Sequence, residues 1–344
     1  MRLTRRIYAA LAAIAILAAA CGGTTTAPPT ATPTSAGTAA ASATPKYPTK
    51  AIDIMAPAGP GGGFDTTARL IGRALTEDKL VDVNVTVSNV PGAGGTVGMA
   101  QVLRKTGDSH SLIVIGRVTL GSQITGKTEA KVSQLTPVAR LMAESEVIVT
   151  PANSPFKSIK DVIDALKKDV NSIKFAGGSA GGIDHELAAL LVKAAGGDVK
   201  SWKSYVPFAG GGEAAAAIIG GQVQVGISGY GEFKGQIDSG TMKALAVSSD
   251  QPLATAKTIP TLKSQGIDIT LVNWRLLGAP PGISAGDLAQ LKALIKKVHD
   301  GKTWQDFATK NDWFDNFTTE NLAAFLSTDE KSLTATLTDL GLVK

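Results

Sequence analysis

The sequence predicts an α/β protein whose two lobes face a shared cleft, and three observations carry that expectation. From residue 47 onward, apolar runs of strand length alternate with stretches of helical period, which is the pattern of a mostly parallel sheet crossed by helices. Gly-rich segments recur four times, each between a strand-like and a helix-like stretch. Two precede residue 140 and two follow it, the spacing a duplicated lobe would give.

Arg2, Arg5 and Arg6 open the chain, residues 7–20 are apolar or small, and Cys21 follows at once. Residues 1–20 read as a secretory signal peptide, its apolar stretch short for a membrane span. A cysteine directly after small residues is the arrangement of a bacterial lipobox, although Leu17 stands four residues before Cys21 where such sites place a leucine three before. Cys21 is the expected lipidation site, with plain cleavage as the alternative; acyl chains on it would hold the protein to a bilayer stably. Residues 22–45 contain no charge and no aromatic. Such a segment buries too little to fold and reads as a tether; with its 24 residues it spans on the order of 80 Å at full stretch.

The 344 residues are 44% hydrophobic and 18% charged with 38 glycines and one cysteine, which excludes a coiled coil, a disulfide scaffold and a disordered chain. Three of the 34 basic residues and none of the 29 acidic ones lie in the leader, so the formal charge beyond it is +2. That leaves no basic footprint for nucleic acid. The three histidines, 110, 185 and 299, are scattered without cysteine partners, so neither a metal nor a cofactor is expected.

Residues 51–56, 83–88, 111–115, 172–176, 223–228 and 242–247 are the expected strands, several apolar enough to be buried on both faces. Leu187, Leu190, Leu191 and Ala194 mark one helix by their spacing, and Leu288, Leu291, Leu294, Ile295 and Val298 another. The Gly-rich loops are 57–65, 91–96, 177–182 and 208–213. Glycine lets backbone approach a ligand closely, and the free N–H groups of a helix start favour an anion. Glycine also simply makes tight turns, so each loop alone says little.

Gly177-Gly178-Ser179-Ala180-Gly181 matches the nucleophile elbow of serine hydrolases. After Ser179, however, the only histidines are His185 and His299, and no acid precedes His185 at a triad's usual separation. A secreted serine hydrolase using Ser179 stays as an alternative; otherwise Ser179 donates to a solute carboxylate or caps the following helix. Residues 121–128 match the P-loop pattern, but the segment after them is closed by Pro137 and shows no strand ending in a metal-binding acid, which favours coincidence. Asp65 reads either as an acid of a helix's first turn or as a contact for a solute ammonium group. His185 reads as a packed helix histidine or a ligand contact.

Taken in order, Tyr47-Pro48 before a strand, Gly62-Gly63-Phe64-Asp65, Asn89-Val90-Pro91-Gly92-Ala93-Gly94-Gly95, Gly178-Ser179-Ala180-Gly181 with His185, Val206-Pro207-Phe208 with Gly210, and Gly220-Gly221-Gln222-Val223 resemble the tripartite tricarboxylate transporter receptors, the Bug-type solute-binding proteins, over nearly all of 47–344. The resemblance implies a periplasmic-binding-protein fold, type II-like, closing on a small organic acid that is handed to membrane transporter subunits. It implies a discontinuous first lobe, 46–143 with 250–344, and a second lobe, 144–249, with Trp274 and Arg275 on the returning first-lobe strand, where Arg275 reads either as a partner for a carboxylate or as a surface arginine. It places ligand contacts on Gly62, Gly63, Phe64, Asp65, Gly94, Gly95, Thr96, Gly178, Ser179, Ala180, Gly181, His185, Phe208 and Gly210. The chain departs from the family at Gly107–Leu112 (107–112), where Asp-Gly-Tyr-Thr-Leu is common, at Phe208-Ala209-Gly210, where Tyr-Lys-Gly is frequent, and at Gln224, where Asp is usual. The expected protein is a non-enzymatic, extracytoplasmic lipoprotein on the outer face of the bacterial cell membrane, in the periplasm or at the cell surface. A sensor lipoprotein that passes solute occupancy to a signalling partner is the other alternative.

Overall fold

The computed structural model describes residues 46–343, so the leader, Cys21 and the tether expected over 1–45 lie outside the described residues. Two trios of parallel strands form the frame. In the first, β2 (Val85–Asn89), β1 (Ile52–Ala56) and β3 (Ser111–Gly116) lie side by side in that order. They lead respectively into the helices α2 (Thr96–Leu103), α1 (Gly63–Glu77) and α3 (Arg117–Thr125). The second trio, β6 (Tyr205–Pro207), β5 (Phe175–Gly177) and β7 (Val225–Gly229), repeats this arrangement. Its strands lead into α6 (Gly211–Ile219), α5 (Ile183–Ala194) and α7 (Tyr230–Asp238). The duplication read from the Gly-rich loops is thus a duplication of three βα units.

The sheet as a whole is mixed, where the sequence pattern predicts a mostly parallel one. Strand β9 (Val272–Ala279) runs antiparallel to both β3 and the long β4 (Thr136–Pro151). In turn β4 is antiparallel to β7, to β8 (Met242–Val247) and to β10 (Phe314–Thr318). The chain passes between the two halves within β4 and along the segment from β8 to β9, neither of which contains an α-helix, and such a connection does not return a strand parallel to its neighbour. Residues 136–145 of β4 pair with β9, whereas 146–149 pair with β7, so one strand serves both halves and changes partner between Ser145 and Glu146.

Helices cover both faces of each half, which is why β3, β5 and β7 are buried along their whole length. In the first half, α1, α8 (Ala285–Asp300) and α9 (Lys302–Lys310) build one core around Ile54, Ile71, Leu291, Ile295 and Trp304. On the opposite face α2, α3 and α10 (Leu322–Asp339) enclose Ile113, Ile115, Met99, Leu120 and Leu333. In the second half α4 (Ile159–Lys168) and α5 pack Val162, Leu187, Leu191 and Phe175, and α6 and α7 pack Ile218, Tyr230 and Phe233. The α5 stripe is turned slightly from its expected position: Ala194 is exposed, and Ala188, Val192 and Ala195 join Leu187 and Leu191 in the interior. The P-loop-like run begins inside α3, so its first glycine makes no strand-to-helix loop.

Helix starts divide into two kinds. Ser158 caps α4 in a reciprocal box with Asp161, whose carboxylate takes the Ser158 N–H at 2.9 Å, and Ser284 caps α8 through the Asp287 N–H at 3.0 Å. In contrast α1, α2, α3, α5, α6 and α7 all begin at a glycine, 62, 95, 116, 182, 210 and 229, with no side-chain cap. A glycine start leaves the first N–H groups of a helix to whatever lies in front of them. Ser158→Ala should lower unfolding free energy by about 1 kcal/mol; denaturant titration reads this as a lower midpoint at unchanged slope.

Candidate functional site

The six glycine-started helices α1, α2, α3, α5, α6 and α7 border one cleft between the two halves, whereas α9, which begins at Gly301, lies away from it. Its lining includes Gly63 and Phe64 of α1, Gly94 just before α2, Val118 of α3, Gly178 and Ser179 before α5 with Asp184 in it, Gly210 and Gly211 at α6, and Glu232 of α7. Pro57, Ala58, Ala209, Ser228, Asn273 and Arg275 complete the wall. The cleft is narrow and open to solvent. The halves touch around it: the Gly59 N–H reaches the Ala209 carbonyl at 3.4 Å, and Arg117 of α3 makes two hydrogen bonds, 3.1 and 3.0 Å, to the buried carboxylate of Glu186 on α5. Arg117 also pairs with Asp329 of α10 at 2.6 Å.

Of the residues expected to touch a ligand, Gly63, Phe64, Gly94, Gly178, Ser179 and Gly210 come together in the cleft wall. Gly62, Gly95, Thr96, Ala180, Gly181 and Phe208 belong to the same loops without lining the space. Asp65 is buried in the first turn of α1, where it accepts from the Gly61 N–H at 2.9 Å, from Arg69 at 2.8 Å and from Asn89 at 2.9 Å. Burial alone would raise its pKa, but these hydrogen bonds outweigh that and lower it. It thus pins the first Gly-rich loop to the end of β2, with Asn89 also donating to the Ala58 carbonyl at 3.1 Å. His185 stacks on Tyr205 with ring centroids 4.3 Å apart and accepts the Gly181 N–H at Nδ1, 3.0 Å. Desolvation pushes its pKa down to about 4, leaving a neutral ring that braces the loop. Neither residue lines the cleft, and Ser179 makes no hydrogen bond with His185 among the described residues.

Close approach dictates glycine at two positions. A Cβ on Gly63 would lie 1.7 Å from Arg275 Nη2, and one on Gly94, whose φ is +61°, would lie 1.8 Å from Ser122 Oγ.

The part of the site absent from the sequence reading is the set of acids around Arg275, namely Glu144, Glu146, Asp184 and Glu232. Arg275, on β9, is 2% exposed. It bonds Glu144 of β4 through Nη1 and Glu232 through Nη2 at 3.2 Å, which keeps its pKa raised against the opposing effect of burial. The other Glu232 oxygen accepts the Gly211 N–H at 3.1 Å. Asp184 accepts the Gly178 N–H, and Tyr205 donates to the Gly178 carbonyl at 2.7 Å. Glu146, on β4, is fully buried and neither of its oxygens accepts a hydrogen bond. Desolvation first, then the carboxylate of Asp184, raises its pKa well above the usual carboxylate range, so it is a neutral acid that can donate to Asp184. Desolvation lifts Asp184 to about 6 against the pull of Gly178, and Glu232 to about 7 against the pull of Arg275. The signal for these groups is in the sequence: Glu144 and Glu146 interrupt the apolar run from Leu141 to Val149, and Arg275 interrupts the run from Trp274 to Leu277.

A model of the "Tripartite tricarboxylate transporter family receptor" matches residues 68–341. The chain belongs to this receptor family. Among its relatives, protein BugT of Bordetella pertussis is 26% identical over 272 residues, 78% of this chain and 82% of that one. Two solved structures share the two-lobed periplasmic-binding-protein fold. MatC of Rhodopseudomonas palustris with bound malate has a TM-score of 0.76 at 22% identity, covering 85% of this chain and all of that one. An R. palustris protein with adipate has a TM-score of 0.78 at 17% identity, covering 86% and 98%.

The raised carboxyls make this receptor's stability depend on pH. Between about pH 7 and 8.5 the unfolded chain has released these protons while the folded protein retains part of them, so stability falls as pH rises. His110 and His185, whose pKa values burial lowers, oppose this only near pH 7, where the unfolded chain still holds part of their protons. Thermal unfolding should therefore show a midpoint that declines from pH 7 to 8.5, and Glu232→Gln should flatten the decline.

Proposed function

We propose that this receptor captures a small carboxylated solute between its lobes and delivers it to the membrane subunits of a tripartite tricarboxylate-type transporter, without catalysing a reaction. One observation carries the reading: six helix starts, each with a glycine at the cap position and only α6 answered by a side chain, Glu232 on the Gly211 N–H, converge on a single cleft. Partial positive charge and unpaired N–H donors at such ends suit an anion. The malate and adipate held by its structural neighbours point the same way. Gly63, Phe64, Gly94, Gly178, Ser179 and Gly210 are the proposed contacts, with Asp65 and His185 positioning the loops that bear them. The proposed lobes are 46–143 with 250–344 and 144–249, a division supported by the change of partner along β4. Cys21 is the proposed lipid attachment, which would place the receptor on the outer face of the cell membrane.

Thermal unfolding against mono-, di- and tricarboxylates tests the central reading. A solute at 100 times its dissociation constant adds about 2.7 kcal/mol and should raise the midpoint by several degrees; no shift with any acid, before or after refolding from denaturant, would refute it. Ser179→Ala should weaken the responding acid about 10- to 100-fold by calorimetry, the worth of one hydrogen bond to a charged group. Cys21→Ala should move the protein from the membrane fraction to the soluble one.

A further inference from the structure

The cleft presents acceptors as well as donors. Its charged lining residues are Asp184, Glu232 and Arg275, and Glu144 and Glu146 stand directly behind them. Arg275 is the sole cation of that lining, and its Nη1 and Nη2 are already given to Glu144 and Glu232. Only Nε lacks an acceptor. Even with Glu146 neutral, the charge of Arg275 is exceeded by that of the carboxylates around it. Asn273 supplies an independent observation: it lines the cleft, is 4% exposed, and its Oδ1 is buried with no hydrogen-bond partner. A buried acceptor left unpaired is costly, and a donor brought by a ligand removes that cost.

We propose that the solute carries one carboxylate together with an N–H-donating group, an amide or an ammonium, in place of a second carboxylate. This rests on the receptor reading of the cleft. The loop N–H groups and Arg275 Nε serve the single carboxylate; Asn273, Glu232 and Asp184 receive the donor. A second carboxylate meets these acceptors as a like charge with no unpaired cation to offset it. The chain thereby differs from its malate- and adipate-bound neighbours in the solute it selects.

Calorimetry on the full chain in mild detergent decides the matter. The dicarboxylates from malonate to pimelate are each compared with their own mono-amide and with the amino acid in which an ammonium group replaces one of the two carboxylates, at about pH 8, where Glu232 and Asp184 are ionised. At least one mono-amide or amino acid should bind about tenfold or more tighter than the dicarboxylate of the same skeleton. The amide and amino-acid arms tell which donor the site prefers. Glu232→Gln, with folding checked by its melting transition, should shrink that ratio. So should a fall to about pH 5.5, which protonates Glu232 facing Arg275, Glu144, Asp184 and the Gly211 N–H, and Asp184 facing Glu146, Glu144, Arg275, Tyr205 and the Gly178 N–H. A dicarboxylate that binds as tightly as its mono-amide at pH 8 overturns the inference and leaves the receptor reading standing. Failure of every acid and every amide to bind overturns both.

Discussion

Arg275 is a permanent cation sealed between the two halves of the protein, and a sealed cation requires acceptors on all sides. Glu144 comes from the neighbouring strand of the sheet and Glu232 from the helix opposite. That demand propagates into the backbone. A Cβ at Gly63 would strike the guanidinium, one at Gly229 would lie 2.4 Å from Glu144 Oε1, and one at Gly211 would lie 2.4 Å from Glu232 Oε2. Three glycines at three helix starts thus answer to one ion cluster. The cluster and the uncapped helix ends are one piece of construction, because the small residue that clears room for the charge also bares the N–H groups.

Duplication explains the rest of the arrangement. Each half contributes three βα units whose strands end at the cleft, followed by one antiparallel strand, β9 in the first half and β4 in the second. Ligand sites of open α/β sheets lie outside the carboxyl ends of the strands; here two such edges face each other, and the site belongs to neither half alone. Three of the helices that point elsewhere are answered by side chains. Ser158 and Ser284 cap α4 and α8, and Asp78 reaches from the end of α1 to Thr303 at the start of α9, 2.6 Å from its hydroxyl.

Most of this frame was legible in the chain. The strand at 111–115 is announced by the apolar run after Ser111 and that at 242–247 by a run broken only at Lys243, and the Gly-rich loops mark where strands give way to helices at the cleft. Periodicity missed β4, β6, β9 and β10; in β4, Pro137, Arg140, Glu144 and Glu146 break the alternation, and their fitness for a strand depends on partners more than a hundred residues away, such as Arg275 and Ser248. The same dependence hid the acids of the site. Asp184 and Glu232 look like ordinary first-turn acids, and only the fold reveals that both are turned to the cleft beside a guanidinium. Asp65 and His185, conspicuous beside glycine loops and open to two readings each, hold the loops' own bends: Asp65 accepts from the Gly61 N–H, Arg69 and Asn89, and His185 from the Gly181 N–H.

The sharing of β4 by both halves has a mechanical corollary. A strand hydrogen-bonded to β9 along one end and to β7 and β8 along the other is a leaf spring, clamped at each end into a different plate. Sliding or twisting the plates apart tears ladder bonds, whereas flexing the strand near Ser145 leaves both ladders whole. The chain's second passage, from β8 to β9, leaves at the same place, where Ser248 takes the Glu146 N–H and the Ser249 N–H reaches Ser145 Oγ, so both crossings are buttoned together beside the acids at 144 and 146.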